Sequence, residues 1–403
     1  MTFPRVTIDQ ATSLIIDHRG KTPKKLGADW TISGHRVISA QNIKGSRIDE
    51  NDHHYVDSQT YAKWMKVPLA AGDTLLTSEA PLGEVAYIQY DVDWVLGQRL
   101  YALRTEPSLV VGRFLFYALQ SPLVRNDLES RATGTTVFGI SQVELRKVQI
   151  PCPPIAEQRR IAEVLGALDD KIESNRTQQR IGEQLLRAVI EGILHQFSEA
   201  DFISFDAYCT QSKESVRPEN VGNNDKYIAL EHMPRGSIFL NSWEIAELAG
   251  IASNKTRFRH GDLLFGKLRP YFKKVGVTPV SGVCSTDILV IRPRLPEFLP
   301  FIAVIASSDA LIDSISASAT GTRMPRASWR DIAAWTVPHI PDETLTVLLD
   351  PANQLMAFLE TLSLQNLKLE QLRDALLPEL MSGRMRVDEA GRLVSEALDE
   401  EVR

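Results

Sequence analysis

The sequence predicts an α+β fold built twice, each copy followed by a long helix. Three observations predict it: a block of residues recurs far along the chain, short β-branched and aromatic segments broken by Gly, Pro and Asp fill each copy, and a heptad pattern follows each copy.

Ala132-Thr133-Gly134-Thr135 returns 187 residues later as Ala319-Thr320-Gly321-Thr322, Ser141 returns as Ser328, and Pro151 and Pro154 return as Pro338 and Pro341. A period this long is about one domain, too large for a solenoid unit. Upstream the match is weaker but ordered: Gly72-Asp73-Thr74-Leu75-Leu76 aligns with Gly261-Asp262-Leu263-Leu264-Phe265, while Ser78-Glu79-Ala80-Pro81 stands opposite Lys267-Leu268-Arg269-Pro270. A shared frame with divergent polar loops suggests one scaffold reading two targets; a drifted duplication without division of labour is the bland alternative. The segments are a first globular domain (1-150), a central long helix (151-198), a second globular domain (199-337), a distal long helix (338-386) and a flexible acidic tail (387-403).

Within the globular parts, Arg36-Val37-Ile38-Ser39, Glu84 to Ile88, Leu100 to Leu103, Lys274 to Val277 and Asp287 to Ile291 read as strands of a twisted sheet. Gly112 to Leu128 and Leu299 to Ile315 read as helices packed on it. In the central helix, Ile161, Leu168, Asn175, Gly182 and Val189 form one seam position and Leu165, Ile172, Gln179, Leu186 and Ile193 the other. At roughly 1.5 Å per residue, residues 161-193 span about 50 Å. Ala352, Leu355, Leu359, Leu362, Asn366 and Leu369 carry the same register in the distal helix, which Asp350-Pro351 would cap and start and Pro378 would end or kink. Gln179 and Asn366 are equivalent by the repeat. They either meet on an antiparallel seam and fix its register, or face solvent on rotated helices.

Composition is that of a soluble globular protein, with 43% hydrophobic and 24% charged residues. No apolar run reaches a membrane span of roughly 18 residues and the start lacks a signal-peptide core, so the cytoplasm is the expected compartment. Cys152, Cys209 and Cys284 form no CxxC pair and read as core residues of a reduced protein. The net charge of -6 hides an uneven distribution: residues 338-403 hold 6 Lys and Arg against 13 Asp and Glu, whereas 201-337 hold 16 against 14. Residues 255-274 set Lys255, Arg257, Arg259, Lys267, Arg269, Lys273 and Lys274 against Asp262 alone, with Phe258, Phe265, Tyr271 and Phe272 between them. Such a stretch in an acidic chain points to a polyanion, although a basic run is commonly a solvated face.

Catalytic signatures are missing. The chain has no GxG and no Asn-Pro dipeptide, as amino-methyltransferases require, and no Glu-x-Lys triplet for a nuclease. Gly20-Lys21-Thr22 looks like the end of a P-loop, but Ile15 stands where the first glycine is needed and Pro23 follows at once. The histidines lack metal-like helical spacing, so no metal site and no catalytic residue is expected.

The entry Ile150-Pro151-Cys152-Pro153-Pro154-Ile155-Ala156-Glu157-Gln158, the segment Leu168-Asp169-Asp170-Lys171-Ile172, the run Leu264-Phe265-Gly266-Lys267-Leu268-Arg269-Pro270-Tyr271, the Ala-Thr-Gly-Thr loops and Asp374-Ala375-Leu376-Leu377-Pro378-Glu379-Leu380-Met381-Ser382-Gly383 together resemble the specificity subunit of type I restriction-modification enzymes. The likeness covers about residues 3 to 387 and departs at the second hinge, where Asp342-Glu343-Thr344-Leu345 replaces Ala-Glu-Gln. It implies two target-recognition domains, each reading half of a split, asymmetric site on double-stranded DNA, with the long helices as spacer and docking surface. It also implies two modification subunits carrying S-adenosylmethionine and methylating adenine, and restriction subunits using ATP and Mg; the chain itself would hold no cofactor.

Charge and loop position select the DNA-contacting candidates. In the first domain these are Arg19, Lys21, Lys24, Lys25, Ser78, Gln98, Arg99, Thr133, Thr135 and Thr136; in the second, Lys267, Arg269, Tyr271, Lys273, Lys274, Thr320, Thr322, Arg323 and Arg326. Arg and Gln suit guanine and adenine edges, Lys and Thr suit phosphates, and the identical Ala-Thr-Gly-Thr loops suit phosphate positioning or a structural turn. Two other classes stay open: a coiled-coil scaffold that binds only protein, and a methyltransferase or nuclease with an unrecognised site.

Overall fold

The computed structural model describes residues 3–49, 54–318 and 325–399. It divides into two compact units, one of residues up to Asp170 together with those from Leu369 onward, the other of Lys171–Lys368. The division falls inside both long helices rather than at their ends, so each unit contains one globular domain and a segment of each helix.

The first domain centres on a four-stranded antiparallel sheet in the order Thr12–Asp17, Leu100–Thr105, Thr74–Thr77, Val85–Tyr87. The second has the same sheet in the same order: Cys209–Ser212, Ile288–Pro293, Leu263–Gly266, Val275–Val277. The apolar runs follow from what covers the two faces. Leu263, Phe265, Leu289 and Ile291 face a core shared with Phe301 and Ile302 of the helix Leu299–Ala306, while Leu264, Ile288 and Val290 face a smaller core with Ile228, Phe258 and Cys284. Strands buried on both sides need no polar alternation.

A second sheet repeats as well. His35–Ile38 pairs parallel with Val95–Leu96 in the first domain, and Lys226–Ile228 pairs parallel with Gly282–Cys284 in the second. The edge pair Arg5–Thr7 with Gln149–Pro151 recurs as Phe202–Ser204 with Thr336–Pro338, bringing the start of each domain beside its hinge. An ion pair also repeats. Asp73, its side chain 1% exposed, accepts two guanidinium hydrogen bonds of 2.8 Å from Arg104; Asp262, 3% exposed, accepts bonds of 2.8 and 2.7 Å from Arg292. Both carboxylates also accept a backbone N–H, from Ala70 and Arg259. Two-pronged, charge-assisted bonds of this kind are directional and pin the sheet end to the preceding loop.

The helices expected over Gly112 to Leu128 and Leu299 to Ile315 are each two. Gly112–Gln120 stops at Ser121, whose hydroxyl donates to Ala118 O, and Pro122–Ser130 restarts with proline in its first turn. Leu299–Ala306 is likewise followed by Asp309–Ser318 after a break at Ser307.

The long helices are Ile155–Gln196 and Asp342–Ser382. Gln158 explains the Pro-Pro-x-x-Glu-Gln entry: fully buried, its amide accepts from Val111 N at 3.0 Å and donates to Leu109 O at 3.0 Å and Pro153 O at 2.8 Å. At the repeat-equivalent place the second hinge has Leu345, fully buried in the second domain's core. The distal helix begins earlier than expected, so Asp350-Pro351 neither caps nor starts it and Pro378 does not end it. Pro351 withholds a bond from Val347, which is 74% exposed, while buried Leu345, Leu349 and Ala352 hold the turn in place. The helix stops at Gly383, whose φ of 71° ends it in the left-handed region.

Residues 387–399, expected as a flexible tail, form the helix Val387–Asp399. Its Val387, Ala390 and Val394 are buried and Asp388 pairs with Arg160, so an acidic composition conceals an apolar face. No single helix among the described residues is long and apolar enough to cross a membrane.

Candidate nucleic-acid interface

Three loops meet at one junction in the first domain. Ser78 N donates to Arg99 O at 2.8 Å, Ile140 N donates to Ser78 O at 3.0 Å, and Glu79 bridges Gly139 in antiparallel fashion. The second domain builds the same junction bond for bond. Lys267 N donates to Asp287 O at 2.8 Å, Ala327 N donates to Lys267 O at 2.8 Å, and Leu268 bridges Arg326. The backbone is repeated while the side chains on it are not. Ala80 and Arg269 share a φ of 50°, so the equivalent loops turn alike before Pro81 and Pro270.

This frame sorts the first domain's candidates. Arg99 and the exposed Thr133, Thr135 and Thr136 belong to the junction, and Thr133 closes the Ala-Thr-Gly-Thr loop by exchanging hydrogen bonds with Gly139. Gly134, at φ 133°, is required there, because a Cβ would lie 2.1 Å from Val137 O. Ser78 is 2% exposed, so its hydroxyl is a core group and not a reader. Gln98 holds the neighbouring turn, accepting from Gly20 N and donating to Lys21 O. Arg19 lies over the Tyr101 ring at 4.1 Å and pairs with Asp17 at 2.8 Å, and Lys21 donates to Trp64 O at 2.8 Å. Burial, then Lys66, holds the Lys21 ammonium below the usual lysine range. Lys24 and Lys25 are exposed on a single short turn, Lys24–Leu26, which is no P-loop helix. A cleft of about 430 Å³ opens beside the junction, lined by Lys21, Trp30, Gln41, Gln98 and Arg99 among others.

In the second domain part of the basic stretch is paired with acids from outside itself. Arg257 pairs with Asp225 at 3.4 Å, Arg259 with Glu214 at 3.5 Å, and Lys273 with Asp309. Lys267 donates to Thr286 O at 2.6 Å, and Lys274 to Leu230 O. Burial and then Arg235 hold the Lys274 ammonium below its ordinary value. The seven-to-one ratio therefore overstates the available positive charge. Arg269 remains exposed, with Phe272 5.9 Å from its guanidinium and no carboxylate in ion-pair range among the described residues, and Tyr271 beside it is 49% exposed. Arg326 is exposed and pairs with Asp287 at 3.6 Å. Thr320, Thr322 and Arg323 lie outside the described residues.

Sequence reasoning missed Glu79 and Asp287, because attention to cations passes over the acids that hold them. It also missed exposed Trp30, Val137 and Phe138, which are 48, 48 and 60% exposed. Exposure of large apolar side chains is a signal that sequence alone does not give.

The polar pair on the helices is shifted by one turn. Asn366 is 3% exposed, as a seam residue should be, but Gln179 is half-exposed; the buried amide across from Asn366 is Asn175, whose Nδ2 donates to Gln365 at 3.4 Å. Close packing of Gly182 on Leu359 sets the antiparallel register, which puts Gln179 opposite Leu362. Repeat-equivalent residues therefore do not face each other, because the centre of the pairing lies between them. In the other unit the Leu-Asp-x-Lys-Ile signature is anchored by Asp169, which accepts from the Tyr117 hydroxyl at 2.6 Å and from Arg373 at 2.9 Å. Burial pushes the Cys209 and Cys284 thiols up to about 12, as fits core cysteines.

Fold and junction define a class: a duplicated α+β recognition scaffold that presents different side chains on one repeated frame. Residues 14–181 match the family model described as the type I restriction modification DNA specificity domain. The chain is 23% identical over 362 residues to the Escherichia coli (strain K12) type I restriction enzyme EcoKI specificity subunit, covering 82% of this chain and 77% of that one. It is 25% identical over 344 residues to the MjaIX specificity subunit of Methanocaldococcus jannaschii, covering 79% and 78%. The crystal structure of the type I restriction-modification S subunit from M. genitalium superposes with a TM-score of 0.59 at 16% identity, over 94% of this chain and 96% of that one, and speaks for the fold. In sequence and in fold the chain is thus similar to the specificity subunits of type I restriction-modification enzymes.

Proposed function

We propose that this chain is the sequence-specific DNA-binding subunit of a type I restriction-modification complex, each globular domain reading one half of a bipartite, asymmetric site. The observation that carries this reading is the junction: the same backbone hydrogen bonds support Arg99, Glu79 and Gly139 in one domain and Asp287, Leu268 and Arg326 in the other. A common frame with different polar side chains is what two related readers of two different half-sites need. A scaffold that binds only protein would have no use for it.

The chain carries no catalytic step. Two modification subunits holding S-adenosylmethionine would dock on the long helices and methylate adenine; restriction subunits using ATP and Mg would act on the same target, in the cytoplasm. The test is to co-express the chain with its modification subunits and map methylated adenines by single-molecule sequencing. One split, asymmetric motif is expected, with no methyl transfer by the chain alone. Methylation without a defined motif, or turnover of S-adenosylmethionine by the purified chain, would overturn the reading.

A further inference from the structure

At repeat-equivalent points of the junction the two domains hold an ion pair of opposite sense. In the first domain the turn carries the cation, Arg99, and the loop carries the acid, Glu79, 3.1 Å apart. In the second the turn carries the acid, Asp287, and the cation comes from the other side of the frame as Arg326, at 3.6 Å. Leu268 stands where Glu79 would be and Gly139 where Arg326 would be, so the charges changed places without leaving one unmatched.

Resting on the DNA-reading assignment above, we propose that Arg99 and Arg326 are the base-reading residues of their domains and that Glu79 and Asp287 hold them only until DNA binds. Each guanidinium leaves its carboxylate for the O6 and N7 edge of a guanine, and the side of the junction from which it projects decides which base it meets. Availability separates these two from the tied cations, and their place on the repeated junction separates them from Arg269, which is exposed and pairs with no acid among the described residues. Arg99 and Arg326 are 51% and 64% exposed, and an exposed pair of this kind contributes little to stability, so exchange for a base edge costs little. Arg19, Lys267 and Lys274 are tied to a half-buried carboxylate or to backbone carbonyls that would have to be abandoned. Arg99 also sits at a φ of 61°, in the left-handed region that residues other than glycine seldom adopt. A backbone that adopts this conformation keeps the side chain aimed off the turn.

The experiment uses the complex of the full chain with its modification subunits. Arg99→Lys and Arg326→Lys keep the charge and lose the fork. Methylome mapping and competition between duplexes differing at single base pairs should show each variant losing roughly ten- to a hundredfold discrimination at one guanine of its own half-site. The other half-site and the salt slope stay unchanged, because no phosphate contact is lost. Base preferences retained in both variants, while the wild-type complex reads its split motif, would overturn the proposal and leave the functional assignment standing. A wild-type complex without a motif would remove the assignment itself. Glu79→Gln and Asp287→Asn give a second readout: with the internal competitor gone, binding of the unchanged motif should tighten by about two- to fivefold at low salt. Unaltered affinity in both would show that the arginines never leave their carboxylates for DNA.

Discussion

Gln158 and Leu345 occupy equivalent places at the entries of the two long helices and secure them by different means. The glutamine satisfies three backbone groups around one amide, so its entry is right only when every partner is in place. The leucine needs only apolar neighbours and tolerates small adjustments. The ion pair Asp73–Arg104, by contrast, is kept unchanged as Asp262–Arg292. Duplication has preserved the clamps that hold the sheet and released the hinge and loop side chains. What varies between the halves therefore marks function or tolerance, and what repeats marks the frame.

The largest effects should come from breaking the repeated clamp. Arg104→Leu and Arg292→Leu each strand a buried carboxylate and should cost about 3 kcal/mol or more in denaturant unfolding. Near-equal losses in the two variants would confirm a common frame, and a loss below about 1 kcal/mol in either would break the comparison.

Exchanging the hinge residues comes next. Gln158→Leu leaves Val111 N, Leu109 O and Pro153 O without their partner, and Leu345→Gln buries an unmatched amide, each costing about 2 kcal/mol. Leu345→Met should cost under about 1.5 kcal/mol. Equal tolerance of both swaps in thermal unfolding would mean the entries are interchangeable after all.

A smaller effect separates Arg269 from its neighbour. Arg269→Ala should reduce the salt slope of DNA binding by about one unit, whereas Lys274→Ala, whose ammonium is turned onto Leu230 O, should change it less. A slope reduced equally by both would restore the basic stretch as a single phosphate-binding surface.

The smallest effect sharpens the comparison along the helices. Glu183 and Glu370 are repeat-equivalent, and burial raises both carboxyl groups above the usual glutamate range. A carboxyl raised on folding favours the native state while protonated in it, so stability declines as pH climbs from the ordinary glutamate range through the raised folded value. Glu183→Gln should remove part of that decline and raise the unfolding temperature slightly at neutral pH, with Glu370→Gln doing the same. A steeper decline in either variant would contradict burial as the cause.

The repeat, the sheets and the heptad seams were legible because they depend on local pattern. Helix breaks were less so: Pro351 reads as a start and lies inside a helix because Leu345, Leu349 and Ala352 are buried on a core far away in sequence. Asn175 rather than Gln179 meets Asn366, since the seam pattern fixes which residues are inside but not where two helices are centred on each other. At the junction, Arg99 and Arg326 were visible as cations, yet the acids that hold them lie on separate loops and become partners only on folding. Lys21 and Lys274 looked equally promising, and only the fold turns each ammonium onto a backbone carbonyl.

The division of the chain also orders its biosynthesis. Lys171–Lys368 is contiguous and holds everything its own unit contains, whereas the unit that begins the chain also needs the residues from Leu369 onward. Leu376, Leu380 and Met381 are buried, and Arg373 reaches back to Asp169. At about 5–20 residues per second, a ribosome needs on the order of 10–40 seconds to cross the intervening segment. The first domain to emerge is therefore the last to be completed, and a nascent chain stopped before Leu369 would carry one finished reader behind an unfinished one.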